Sequence, residues 1–158
     1  MGVFVRSALW GLAALVIVAQ FIPAARTNPP STPGHALQDV VSVPPAVEAM
    51  LTRSCADCHS DDTRWPWYSR VAPVSWFVIN HVQEGRRHLN ISEWVRPGVN
   101  DPVQYTREKF HSACRQVQTR DMPLSSYLLI HRDARLSPAD VEAICTWADN
   151  VSAAPSHN

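Results

Sequence analysis

Cys55-Ala56-Asp57-Cys58-His59 is the run in this 158-residue chain whose residue types and spacing specify a chemistry. Two thiols three residues apart lie on one helical turn and can each add to a vinyl group of a haem. The histidine that follows then points its imidazole at the iron. The C-x-x-C-H pattern therefore reads as covalent attachment of one c-type haem through Cys55 and Cys58, with His59 as an axial ligand. Such a tether holds the cofactor even where a small domain cannot bury it well. Two other uses of the cysteine pair fit the chain poorly. A zinc ribbon needs a second C-x-x-C, and Cys114 and Cys145 stand alone and far apart. A thioredoxin-like redox pair needs a βαβ setting, and no strand pattern longer than a few residues is present.

The second axial position is a choice between thioether and imidazole. Met122 sits in Asp121-Met122-Pro123, in a loop ahead of the last helical segment. A methionine there stabilises ferrous iron and raises the potential. Its bland alternative is an apolar plug under the loop. His81, His88, His111 and His131 are the rivals, and a second imidazole would make a low-potential centre. His35 and His157 fall in segments read as flexible and solvated. Cys114 and Cys145 are left over. Outside the cytoplasm such a pair most often forms a disulfide, with two buried free thiols as the alternative.

The elements that position these residues are helical. Val47, Met50 and Leu51 share a face at i, i+3, i+4 in a helix that runs from Pro45 into the cysteines. Residues 60–74 carry two prolines and form a structured loop. A second helix is expected over about 75–88 and a third over about 102–118. Ser137-Pro138-Ala139-Asp140 supplies an N-cap, a proline at the first helical position and an acid in the first turn. It opens a last helix to about Asp149, leaving 151–158 as a frayed tail. Thirteen prolines against five glycines fit short helices joined by structured loops.

Residues 2–23 carry a single charge, Arg6, in an otherwise largely apolar run. The uninterrupted core from Ala8 to Ile22 would span roughly 22 Å as a helix, short of the ~30 Å hydrocarbon core. Val3 to Val5, with Arg6 snorkelling, make a span feasible. Cleavage after Ala24 or Ala25 would put Ile22 or Pro23 at the −3 position, where a small residue is wanted. The segment 1–23 therefore reads as an uncleaved anchor, with a cleaved signal as the competing reading. Either places the rest of the chain outside the cytoplasm. Residues 24–44, rich in Pro, Ser and Thr, read as a tether, and 45–150 as the haem domain.

Fourteen basic and fourteen acidic side chains balance, and Lys109 is the only lysine. Nothing in that charge recruits nucleic acid. Six tryptophans in so short a chain fit either a cofactor pocket or ordinary core packing.

The order of further residues along the chain resembles a bacterial haem-binding domain family. The likeness rests on Cys55-x-x-Cys58-His59-Ser60, Thr63-x-Trp65-Pro66-Trp67-Tyr68 and Ala72-Pro73-Val74-Ser75-Trp76. It continues in His81-Val82-x-Glu84-Gly85-Arg86, Asn90-x-Ser92-x-Trp94, Met122-Pro123, Tyr127-Leu128, His131 and Trp147, with Asn28-Pro29-Pro30 upstream. Two departures stand out: Arg120-Asp121 where a glycine often precedes Met-Pro, and Arg132 where a proline usually follows the histidine. The resemblance implies a c-type, mostly membrane-tethered protein with an all-α, cytochrome c-like fold, its closing helix packed across the first.

The function expected is one-electron transfer at the periplasmic face of a bacterial cytoplasmic membrane, as a carrier rather than an enzyme and with a redox partner protein. Trp65, Trp67, Tyr68 and Trp76 would limit water around the porphyrin, and Arg64, Arg70 or Arg86 could bind its propionates. A haem-based sensor is one alternative. A peroxidase-like enzyme, with His81 and Arg86 beside an open iron site, is another.

Overall fold

Proline and capping side chains set where the helices begin. The computed structural model describes residues 2–22 and 24–154. Along them run α1 (Gly2–Ala19), the one-turn α2 (Leu37–Val40), α3 (Pro45–Ser54), α4 (Ala56–His59) and α5 (Val74–His88). There follow α6 (Pro102–Gln118), the one-turn α7 (Ser125–Leu128) and α8 (Pro138–Asp149), with 3-10 turns at Trp67–Arg70 and Arg132–Ala134. The fold is helical. Among the described residues the sole extended pairing is an isolated bridge between Val41 and Ala153.

α6 starts because Asp101 accepts the Gln104 N–H at 2.9 Å and Pro102 follows as its first residue. α8 starts on a reciprocal capping box. Ser137 Oγ accepts the Asp140 N–H, and the Asp140 carboxylate accepts the Ser137 N–H in return. Those bonds, led by the Ser137 N–H, hold the Asp140 carboxyl below its ordinary range. Arg53 on α3 reaches the same carboxylate at 3.2 Å, tying the helix before the motif to the last one.

The core lies where α3, α6 and α8 meet. Val47, Met50 and Leu51 pack with Phe110, Val117, Ile144, Trp147 and Ala148. Phe110 meets the Trp147 ring edge-on at 4.5 Å. Trp94, from the loop before α6, also enters, and its indole N–H donates to the buried Thr106 hydroxyl at 2.7 Å. Tryptophan is therefore core here as much as it is loop. A disulfide joins Cys114 on α6 to Cys145 on α8, with Cα atoms 5.2 Å apart.

Two segments expected to be loose are packed. In the stretch 24–44, Leu37 is 2 % exposed and Val41 fully buried, so the domain's core begins before Pro45. Alternation of Pro, Ser and Thr hid two apolar anchors eight residues or fewer from α3. At the other end Val151 is buried, the Ser42 N–H bonds Ser152 O at 2.9 Å, and the Ala154 N–H bonds Val40 O at 3.0 Å. The two ends of the domain thus hold each other. His35, expected to be solvated, is half-buried 3.2 Å from the Glu93 carboxylate. Met1, Pro23 and residues 155–158, His157 among them, lie outside the described residues.

α1 is exposed along nearly its whole length and is long and apolar enough to cross a membrane, with mean hydropathy 2.0. Its helix stops at Ala19. Gln20 to Ile22 leave it in a turn, and Gln20 lies against the domain.

Candidate functional site

The Cys55–His59 motif sits at a break between two helices. α3 ends at Ser54, Cys55 turns the chain at φ −123°, and α4 carries Asp57, Cys58 and His59. Cys55 packs on the core and Cys58 is half-buried, and neither is in a disulfide. Burial pushes the Cys55 thiol up to about 12 and the Cys58 thiol up to about 11. Both thiols are therefore protonated, which is the opposite of the low-pKa thiolate a disulfide oxidoreductase requires.

His59 is held by backbone. Its Nδ1 lies 3.0 Å from Gly85 O and 3.0 Å from Leu89 O, at the carboxyl end of α5. Two acceptors at Nδ1 place the proton there and leave Nε2 as the free lone pair, the tautomer a metal ligand needs. Burial lowers the His59 pKa and favours that neutral ring. α5 can come this close because residue 85 is glycine. A Cβ there would stand 2.5 Å from the Cys58 carbonyl oxygen, a clash with backbone that cannot swing aside.

A polar frame locks α4 from the other side. Ser60 Oγ donates to Ala56 O and Thr63 Oγ1 to Asp57 O. Arg86 binds Ser60 O at 2.8 Å, Thr63 Oγ1 at 2.9 Å, Thr27 O at 2.7 Å and Asn28 Oδ1 at 3.1 Å. Behind it lies Asp61, whose side chain is 3 % exposed, 3.6 Å from Arg86 and bonded by the Asn90 amide at 3.0 Å. Asn28 also accepts from the Trp65 indole at 3.0 Å and donates to Thr63 O at 2.9 Å. Arg86, offered as a propionate or distal-pocket residue, is thereby committed to this frame. Arg64 is likewise committed, paired with Asp57 at 3.2 Å, while Arg70 is exposed.

Met122 is half-buried and packs on the same apolar cluster that Cys55 borders. It follows the end of α6, where Arg120 takes a left-handed φ of 63° and Asp121 and Met122 N–H groups fold back to Gln116 O. The loop beyond it returns to the motif. Tyr127 donates to the Asp57 carboxylate at 2.7 Å and stacks on His131 at 4.2 Å, and His131 Nε2 lies 2.7 Å from the Tyr68 hydroxyl. Burial, first, and then Asp57 push the Tyr127 hydroxyl far above its ordinary value, so it stays a donor.

The expected pocket residues divide. Tyr68 joins the His131 contact, Trp65 is tied to Asn28, and Trp76 has a buried indole N–H with no hydrogen-bond partner. Trp67 is 75 % exposed. Of the rival histidines, His81 bonds its own helix at Phe77 O, His111 pairs with Asp149, and His88 stands in solvent. Asn28, Gly85, Asp57 and Tyr127 acquire roles that residue type and spacing did not assign them.

These residues fit a haem. Among the described residues no group of three or more His, Cys, Asp or Glu side chains could hold a metal ion alone. The donor set is one oriented imidazole beside two free thiols, which suits an iron already carried by a porphyrin. A family model described as "Haem-binding domain" matches residues 14–150. No curated protein and no solved structure matches the chain.

Proposed function

The chain belongs to the haem-binding domain family, and from that premise we propose that it is a c-type electron carrier tethered to the outer face of a bacterial cytoplasmic membrane. Cys55 and Cys58 would hold one haem through thioethers, and His59 and Met122 would ligate its iron. The observation that carries this reading is the His59 ring, fixed through Nδ1 between two backbone carbonyls directly after a pair of free thiols. Bound haem supplies a one-electron iron couple. The chain's own residues do the rest. Gly85 and Leu89 carbonyls hold the proton on Nδ1 and so aim Nε2. The loop from Met122 to His131, fastened to Asp57 through Tyr127, brings the thioether back to the motif. Trp65, Tyr68 and Trp76 restrict water, and the Trp76 N–H offers a donor to a propionate. α1 keeps the domain at the bilayer. The peroxidase-like alternative is weakened because the guanidinium it needs is consumed by Ser60, Thr63, Thr27 and Asn28.

Co-expression with a c-type maturation system tests the attachment. Haem should stay on the denatured protein through organic extraction, and Cys55→Ala with Cys58→Ala should release it. Haem that partitions from the unsubstituted protein into solvent overturns the thioether assignment. Met122→Ala should keep the haem, lose the sulfur-to-iron charge-transfer band at the red end of the ferric spectrum, and lower the potential. An unchanged spectrum there, together with high-spin iron in His81→Ala or His131→Ala, makes the centre bis-histidine instead.

A further inference from the structure

At the point where α1 leaves its helix, the domain carries an apolar face. Gln20, the first residue after the helix, grips the backbone of Ala72 at both ends of its amide: Nε2 donates to Ala72 O at 3.1 Å and Oε1 accepts the Ala72 N–H at 3.0 Å. Arg26 adds a bond to Ser69 O at 3.1 Å. The exit of the apolar helix is therefore pinned to the turn between the Trp67–Arg70 segment and α5. Large apolar side chains stand exposed on both sides of that pin: Phe21 and Ile22 on the helix exit, Trp67 and Val71 before Ala72, and Val74 and Phe77 after it.

The α5 part of this face stands apart from the Cys55–His59 motif. Phe77 and Val74 precede Gly85, the residue in contact with Cys58, by eight and eleven positions, which is about 12 to 16 Å along α5. It also differs in charge from the rest of the chain. From Thr63 to Gln83 there is no Asp or Glu, only Arg64 and the exposed Arg70, in a protein with fourteen acids. An apolar face containing a tryptophan, bordered by arginine and empty of carboxylates, has the composition of a surface that enters a lipid headgroup region.

We propose that Trp67, Val71, Val74 and Phe77, continuous with Phe21 and Ile22, dip into the outer leaflet of the bilayer, so that the domain lies on the membrane in one fixed orientation rather than swinging from a tether. The occupant of the face is lipid. This rests on α1 being a retained anchor. It also accounts for the exposed ring of Trp67, which faces membrane instead of porphyrin.

The test uses the full haem-loaded protein in vesicles of phosphatidylethanolamine and phosphatidylglycerol doped with a phospholipid that bears a photoactivated diazirine in its acyl chain. After photolysis, mass spectrometry maps the lipid adducts. Adducts are expected in peptides covering 2–22 and also 65–79, and Trp67→Ser with Phe77→Ser should lose the second set and keep the first. Adducts confined to 2–22 overturn the proposal while leaving the anchor in place. Adducts in neither peptide remove the anchor and the proposal together. Crosslinks through 65–79 to another protein copy, without lipid adducts there, also overturn it and assign the face to self-association.

Discussion

Around His59 the chain is held by groups with little freedom left, whereas around Met122 it is held by a loop with few fastenings. The histidine's proton goes to two main-chain carbonyls, α5 lies so close to the Cys58 carbonyl that residue 85 has no room for a Cβ, and Arg86 is saturated by bonds to four different residues. The methionine follows a residue at positive φ. Its loop is tied by two side-chain bonds, Tyr127 to Asp57 and His131 to Tyr68, and Leu129 and Ile130 within it are exposed. On the proposed ligation, His59 is set by backbone and cannot be retuned by a surface substitution, while Met122 on its loop can. Variation in potential or ligation should therefore enter through the Met122 side.

The largest effect should come from the rigid side. Arg86→Met leaves the buried Asp61 carboxylate without its cation and several carbonyls without a donor. Breaking such a buried pair costs about 3–5 kcal/mol, measurable by urea unfolding. Loss of haem low-spin character should accompany it as His59 is freed. A cost below about 1 kcal/mol, the range of an exposed pair, would erase the contrast between the two sides.

Next to the Met122 loop, the disulfide joins the two helices, α6 and α8, between which that loop runs. Replacing both Cys114 and Cys145 by Ala opens a loop of about 30 residues, which lowers stability by about 3.5 kcal/mol. α6 and α8 bear the strain, so the His59 signature in the spectrum should survive while the Met122 band weakens. If both signatures fade together, the two sides are one cooperative unit.

Gly85→Ala should cost about 1–3 kcal/mol, because the methyl meets backbone and α5 must retreat from α4. Chemical denaturation gives the stability, and the ferric spectrum reports whether His59 keeps its orientation. An unchanged midpoint and spectrum would show that α5 can slide freely, and rigidity would have to come from Arg86 alone. Arg120→Gly should act in the opposite direction and least. Relief of the left-handed arginine at the end of α6 is worth up to about 1 kcal/mol, read as a small rise in thermal midpoint. A fall instead would mean that the arginine side chain, not its backbone, holds the loop.

At the end of α6, Arg120 takes the positive φ that a glycine would adopt without strain. Asn28-Pro29-Pro30 is recognisable in the sequence, but the work of Asn28 is visible only once Trp65, Thr63 and Arg86 converge on it.

Features within one turn of their cause could be read directly. The C-x-x-C-H spacing, the Asp101 and Ser137 caps, the prolines at helix starts and the apolar face of Val47, Met50 and Leu51 all act between residues a few positions apart, where covalent geometry leaves few alternatives. What pairs across the chain was decided by packing. Residues 37–41 join the core and close on 152–154, α5 settles against Cys58 because residue 85 lacks a side chain, and Tyr127 crosses seventy positions to reach Asp57. Those contacts depend on how helices stack after their ends are set, and no local pattern encodes which distant partner a buried polar group will find.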